Sequence, residues 1–106
     1  MKKIEAPRQQ GDVFVYLHEG KIEKDMEKLK HQTLAEGEVT GHAHRVTVGD
    51  AVLYRNAEKL VIDVLSDIAV VTHEEHGPLA LPKGTHKVKI VQEYDHFAEE
   101  AKQVAD

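Results

Sequence analysis

Short apolar runs alternate with turn signals along most of the chain. Val13-Phe14-Val15-Tyr16-Leu17 is β-branched and aromatic, of strand length, and opened by Gly11-Asp12. Its continuous apolarity predicts a strand covered on both faces. Arg45-Val46-Thr47-Val48 alternates polar and apolar, the pattern of a half-buried strand. Gly49-Asp50 signals a turn before the next strand, Ala51-Val52-Leu53-Tyr54. Lys59 to Leu65 and Ile68 to Thr72 are rich in Val, Ile and Leu, and only Ser66-Asp67 lies between them, which predicts a hairpin. Gly77-Pro78 and Pro82-Lys83-Gly84 read as further breaks, and His86 to Val91 alternates cleanly.

Two segments carry a helical period instead. Ile22, Met26 and Leu29 recur at i, i+4 and i+7, which predicts a short amphipathic helix within Lys21–Leu34, although no strong N-cap precedes it. Asp95 can cap a terminal helix over Phe97–Val104, with Phe97, Ala101 and Val104 on one face. Residues 1–10 are polar, contain Pro7 and lack periodicity, so they read as a loosely held arm. The expected organisation is an arm over 1–10, a β domain over 11–94 that includes a strand through Glu38-Val39-Thr40, and a short C-terminal helix over 95–106. The fold class is mainly β, a small antiparallel barrel or sandwich with one or two short helices.

At 106 residues the chain makes one domain with a modest core. The net charge of −5 and the absence of a basic stripe exclude nucleic acid as the primary partner. The run Lys83–Lys89 is interleaved with strand residues and reads as a solvated face. No cysteine is present, which removes disulfides, thiolate zinc sites and cysteine nucleophiles and fits a cytoplasmic location. The N-terminal lysines are not followed by an apolar signal-peptide region, and no apolar run approaches the roughly 18–20 residues of a membrane span. The one serine, Ser66, falls at the expected hairpin turn and offers no nucleophile.

Histidine is the unusual residue, with eight in the chain. Gly41-His42-Ala43-His44 carries one pair and His73-Glu74-Glu75-His76 a second. On a strand, His42 and His44 point to the same side. In a turn or helical segment, His73 and His76 also share a side. Together the four could supply imidazole nitrogens to one divalent ion, with Zn, Fe, Ni or Mn as candidates. Glu75 or Glu74 could add a carboxylate ligand, orient a ligating imidazole, or act as a general base. Random placement would give on the order of 0.6 His-x-His pairs in such a chain, so either motif alone is weak. The competing account is a set of partly exposed polar residues at loop mouths. His18, His31 and His96 read as exposed or capping residues.

His42-Ala43-His44 together with Pro82-Lys83-Gly84-Thr85-His86 resembles the cupin pattern. That resemblance implies a β-barrel with a metal in its mouth and adds His86 as a further ligand. It departs from the pattern at Val48, where a cupin carries a glutamate, and in the spacing before His86. Val46 to Tyr54 is similar to a strand-turn-strand of the small co-chaperonin barrel. Leu34 to His44 and Thr72 to Pro78, with Gln92-Glu93-Tyr94, resemble a family of small uncharacterised bacterial and phage proteins, which implies no activity. The expected function is therefore a metal-binding small β-barrel with a histidine-rich site formed from His42, His44, His73 and His76, with His86 and Glu75 as lesser candidates. Whether it is an enzyme, and on which substrate, is left open. The alternative is a non-enzymatic module that assembles with itself, as a homo-oligomer, or with a partner.

Overall fold

The computed structural model describes residues 7–36 and 42–91. The strand at Glu38–Thr40 and the helix over 95–106 lie outside them. Within them the chain forms β1 (Arg8–Gln10), β2 (Val13–Tyr16), β3 (Glu27–Lys28), β4 (Thr33–Glu36), β5 (Ala43–Val48), β6 (Ala51–Arg55), β7 (Leu60–Thr72) and β8 (Leu79–Ile90). All pairings are antiparallel and belong to one sheet, whose main path runs β1-β2-β8-β7-β5-β4. Among the described residues β1 pairs only with β2 and β4 only with β5. The sheet is therefore open, and the expected closure into a barrel is corrected.

The spine is the long β7–β8 hairpin. Leu60–Val64 pairs with Val88–Gly84 at one end, and Ile68–Val71 pairs with Pro82–Leu79 at the other. On its other side β7 has two partners. Its first half pairs with β6, from Ala51↔Val64 to Arg55↔Leu60. Its last residues pair with β5, through Arg45↔Thr72 and Val46↔Val71. β3 extends the sheet from β6. The inward face carries Val13, Val15, Leu53, Ile62, Val64, Val71 and Leu81, each almost wholly buried. In β2 the buried positions alternate with half-buried Phe14 and Tyr16, so the strand has one core face rather than two.

The hairpin expected at Ser66-Asp67 is absent, and the two apolar runs form one strand. A two-residue hairpin turn needs positive φ at one or both central positions. Neither Ser66 nor Asp67 adopts it. The register slips between Val64 and Ile68 instead, leaving a bulge on β7. The Ser66 hydroxyl accepts from Asp50 N–H at 2.8 Å and donates to the Ile68 carbonyl at 2.7 Å. Leu65 N–H donates to the Asp50 carbonyl at 2.8 Å. The β5–β6 connection is thus fastened to the bulge. Pro82-Lys83-Gly84, expected as a turn, runs within β8 opposite that bulge.

The expected helix in Lys21–Leu34 is also corrected. The segment holds a short turn, with Met26 N–H on the Glu23 carbonyl at 3.1 Å, and then β3 and β4. Leu29 N–H bonds the Leu53 carbonyl at 2.8 Å, which draws this stretch out along the sheet. Edge pairing satisfies the backbone here, and Ile22, on the expected apolar face, stays 43% exposed. The arm is corrected at its inner end, because Arg8–Gln10 pairs with Val15–Val13 and Gln10 is buried.

Gly49 has φ of 86°, and a Cβ there would overlap the Ile68 carbonyl oxygen. Gly49→Ala is expected to cost roughly 2–4 kcal/mol, from a strained φ and a backbone clash. Gly77 has no atom within 4 Å of its would-be Cβ. Gly77→Ala is expected to stay within about 0.5 kcal/mol of the parent. Urea unfolding of the two variants should separate them; equal stabilities would contradict this account of the bulge.

Candidate metal centre

The β5–β7 register brings the two histidine pairs together. Arg45 lies opposite Thr72, so the residues before Arg45 meet the residues after Thr72. β5 begins at Ala43, so His44 shares the face of buried Val46, and His42 immediately precedes the strand. The His44 and His73 rings stack with centroids 4.3 Å apart. His42 meets His73 edge to face at 5.7 Å, His73 lies 4.8 Å from His76, and His44 lies 6.2 Å from His76. Metal–nitrogen bonds of about 2.0–2.1 Å would place two imidazole centroids on one ion roughly 4.5–6.5 Å apart. The His42–His73, His73–His76 and His44–His76 separations fall in that range. The His44–His73 stack is slightly closer, and its near-parallel rings do not converge on a common point.

The donor atoms of His42, His73 and Glu74 lie within 4.8 Å of one another. Ligands at right-angle or tetrahedral positions around one ion need donor separations of roughly 3–3.5 Å, so the side chains would have to draw together by up to about 2 Å to share an ion. Glu75, expected as a lesser carboxylate candidate, is not in this group. The geometry favours Glu74, whose Oε1 accepts Ala43 N–H at 2.7 Å and leaves the other oxygen free for an ion. That backbone bond also holds the Glu74 carboxyl below its ordinary pKa. Glu75 contributes its backbone instead, donating N–H to His73 Nδ1 at 3.1 Å. An ion taken by His73 at Nδ1 would displace that exposed bond.

Beneath the rings lies the β1–β2 turn. Gly11 has φ of 56°, which favours glycine, and a Cβ there would lie 2.6 Å from His76 Nε2, so a larger residue would push that exposed ring aside. Gln10 Oε1 lies 2.8 Å from His44 Nδ1. No sequence motif linked Gln10 or Gly11 to the histidines, because both act through a turn that is distant from them in sequence. Burial is the main cause that lowers the His44 pKa to about 4, assisted by the neighbouring His73 and His76 and opposed by Asp12 and Glu74.

His86 does not join this site. It pairs with Ile62, nine positions along β7 from Val71, which is roughly 30 Å at a rise of about 3.3 Å per residue. Its ring is fully buried and both nitrogens are engaged. Nε2–H donates to the Pro82 carbonyl at 2.7 Å, and Nδ1 accepts His18 N–H at 2.9 Å. His86 is a core histidine that ties β8 to the turn after β2, where His18 has φ of 60°. Burial depresses its pKa. The expectation that it ligates is corrected.

Both buried histidines link stability to pH in the same direction. Their folded pKa values lie below the unfolded value near 6.5, so the neutral form is favoured on folding. The stability they contribute is fully present above about pH 6.5 and is lost as pH falls toward the folded values. For His44 the drop to about 4 corresponds to a contribution on the order of 3 kcal/mol. Chelator-treated protein should therefore lose stability in urea between pH 6.5 and 4. His86→Leu should cost roughly 2–4 kcal/mol at pH 7, by leaving His18 N–H and the Pro82 carbonyl unpaired, and should shallow the acid limb. A parent stability that is flat across this window would refute the assignment of both histidines as buried and neutral.

No helix among the described residues is long and apolar enough to cross a membrane. No curated protein and no solved structure matches the chain, so the cupin and co-chaperonin resemblances gain no support. A family model does match, over residues 9–91, which takes in every strand from β2 to β8 and both histidine pairs. The chain belongs to the family described as Domain of unknown function (DUF8820).

Proposed function

We propose that this protein binds a divalent metal ion at the end of its β7–β8 hairpin. The observation that carries the proposal is the gathering of His42, His73 and Glu74 donor atoms within 4.8 Å, with His44 and His76 packed around them. Two imidazoles and one carboxylate suit Zn, Fe, Ni or Mn and leave coordination positions open to water or a small ligand. Metal-free protein is expected to take up about one Zn or Ni ion per chain, with a rise in melting temperature that grows with metal concentration. The double variant His42→Ala/His73→Ala should bind at least about 100-fold more weakly, as expected when two of three ligands are lost. Untagged protein that shows no thermal shift with Zn, Ni, Mn or Fe would sink the proposal.

A second reading draws on a different observation. Val48, Leu65 and Ile68 are each about half exposed around the bulge. Val48 lies opposite Val70 and Ile68 opposite Pro82, so an apolar strip crosses the outer face of three strands. Such a strip suits self-association or a protein partner. Light scattering tests this reading: a defined oligomer that Ile68→Lys converts to monomer supports it, and a monomeric parent at high concentration counts against it.

A further inference from the structure

We infer that Gln10 is a positioning residue for the histidine cluster, holding His44 as the Nδ1–H tautomer so that Nε2 carries the ring's one available lone pair. The inference rests on the proposed metal site for its functional meaning but not for its chemistry. Gln10 is 2% exposed, the most deeply buried polar side chain beside the cluster. Its amide nitrogen donates to the Val71 carbonyl at 3.0 Å and to the Gly77 carbonyl at 2.8 Å. Both amide hydrogens are thereby used, and the opposite amide orientation would set oxygen against two carbonyl oxygens. The side-chain oxygen must therefore face His44, and it can only accept. His44 Nδ1, at 2.8 Å, must carry the proton. In a neutral imidazole the proton on one nitrogen leaves the lone pair on the other.

The same amide ties together the three pieces of backbone that build the site. Gln10 ends β1, Val71 is near the end of β7, and Gly77 lies in the loop that carries His73, Glu74 and His76. A ligating imidazole ordinarily donates its second N–H to a fixed acceptor, which sets the ring's tautomer and orientation. Gln10 meets that requirement for His44. His73 differs, because its Nδ1 already accepts the Glu75 N–H. His44 Nε2 is consequently the imidazole nitrogen whose availability is fixed by a buried partner.

The test has two arms. In metal-free parent protein above pH 7, long-range proton–nitrogen NMR correlations of the His44 ring should give a pyrrole-type Nδ1 and a pyridine-type Nε2; an Nε2–H tautomer overturns the inference. In Gln10→Leu the ring should revert toward Nε2–H, and zinc affinity, measured by calorimetry, should fall about 10–100-fold. A folded Gln10→Leu that keeps the parent's tautomer and affinity also overturns it. If Gln10→Leu does not fold, the parent's tautomer decides alone. A parent that shows the Nδ1–H tautomer but binds no zinc upholds the positioning by Gln10 and defeats the metal reading, so the two fail separately.

Discussion

The antiparallel pairing of β5 with the last residues of β7 is the constraint on which the candidate site depends. Once Arg45 lies opposite Thr72, the chain entering β5 and the chain leaving β7 must meet. A slip of one residue would turn His42 and His44 to the opposite face, because side chains alternate along a strand. The register is held by apolar burial: Val46 and Val71 are paired and both face the core. The chemistry at the sheet's end is thus positioned by hydrophobic contacts that take no part in it.

That pairing is possible because β7 serves two partners on one edge. A straight strand with a single neighbour would pair along its whole length with either β5 or β6. The bulge at residues 65–67 divides β7, and the Gly49-Asp50 connection crosses at that point, bonded to Leu65 and Ser66. Bulges bend the strand and increase its twist. The halves of the β7–β8 hairpin are therefore free to serve different parts of the sheet. One half carries β6 and β3, and the other carries β5, β4 and the histidines.

The strands rich in β-branched residues were legible in the sequence, because apolar runs of strand length are bounded there by turn residues. Val13–Tyr16, Ala43–Val48 and Ala51–Arg55 form close to where those runs placed them. The errors have one physical source. Ser66-Asp67 and Pro82-Lys83-Gly84 look like turns locally, yet each is absorbed by the other in a bulged ladder, a compensation between segments that no local window contains. Lys21–Leu34 has a helical period by composition, but pairing with β5 and β6 offers its backbone more than an isolated short helix would. The histidine pairs were visible as motifs. Their convergence, the exclusion of His86 and the role of Gln10 were not, because each depends on register across the sheet.

The cluster's electrostatics favour a ligand that brings positive charge without adding protons. Rings 4.3–6.2 Å apart cannot all be protonated without mutual repulsion, and burial of His44 adds a desolvation cost to any charge placed on it. Neutral imidazoles avoid that repulsion and pack beside the anchored Glu74 carboxylate. Gln10 and Glu75 N–H satisfy one nitrogen each on His44 and His73. The nitrogens and the carboxylate oxygen that these bonds do not use share one end of the sheet, at the surface, where an ion could reach them. A divalent cation, the ligand proposed for this site, would offset the carboxylate's charge and accept imidazole lone pairs without placing a proton on the buried His44 ring.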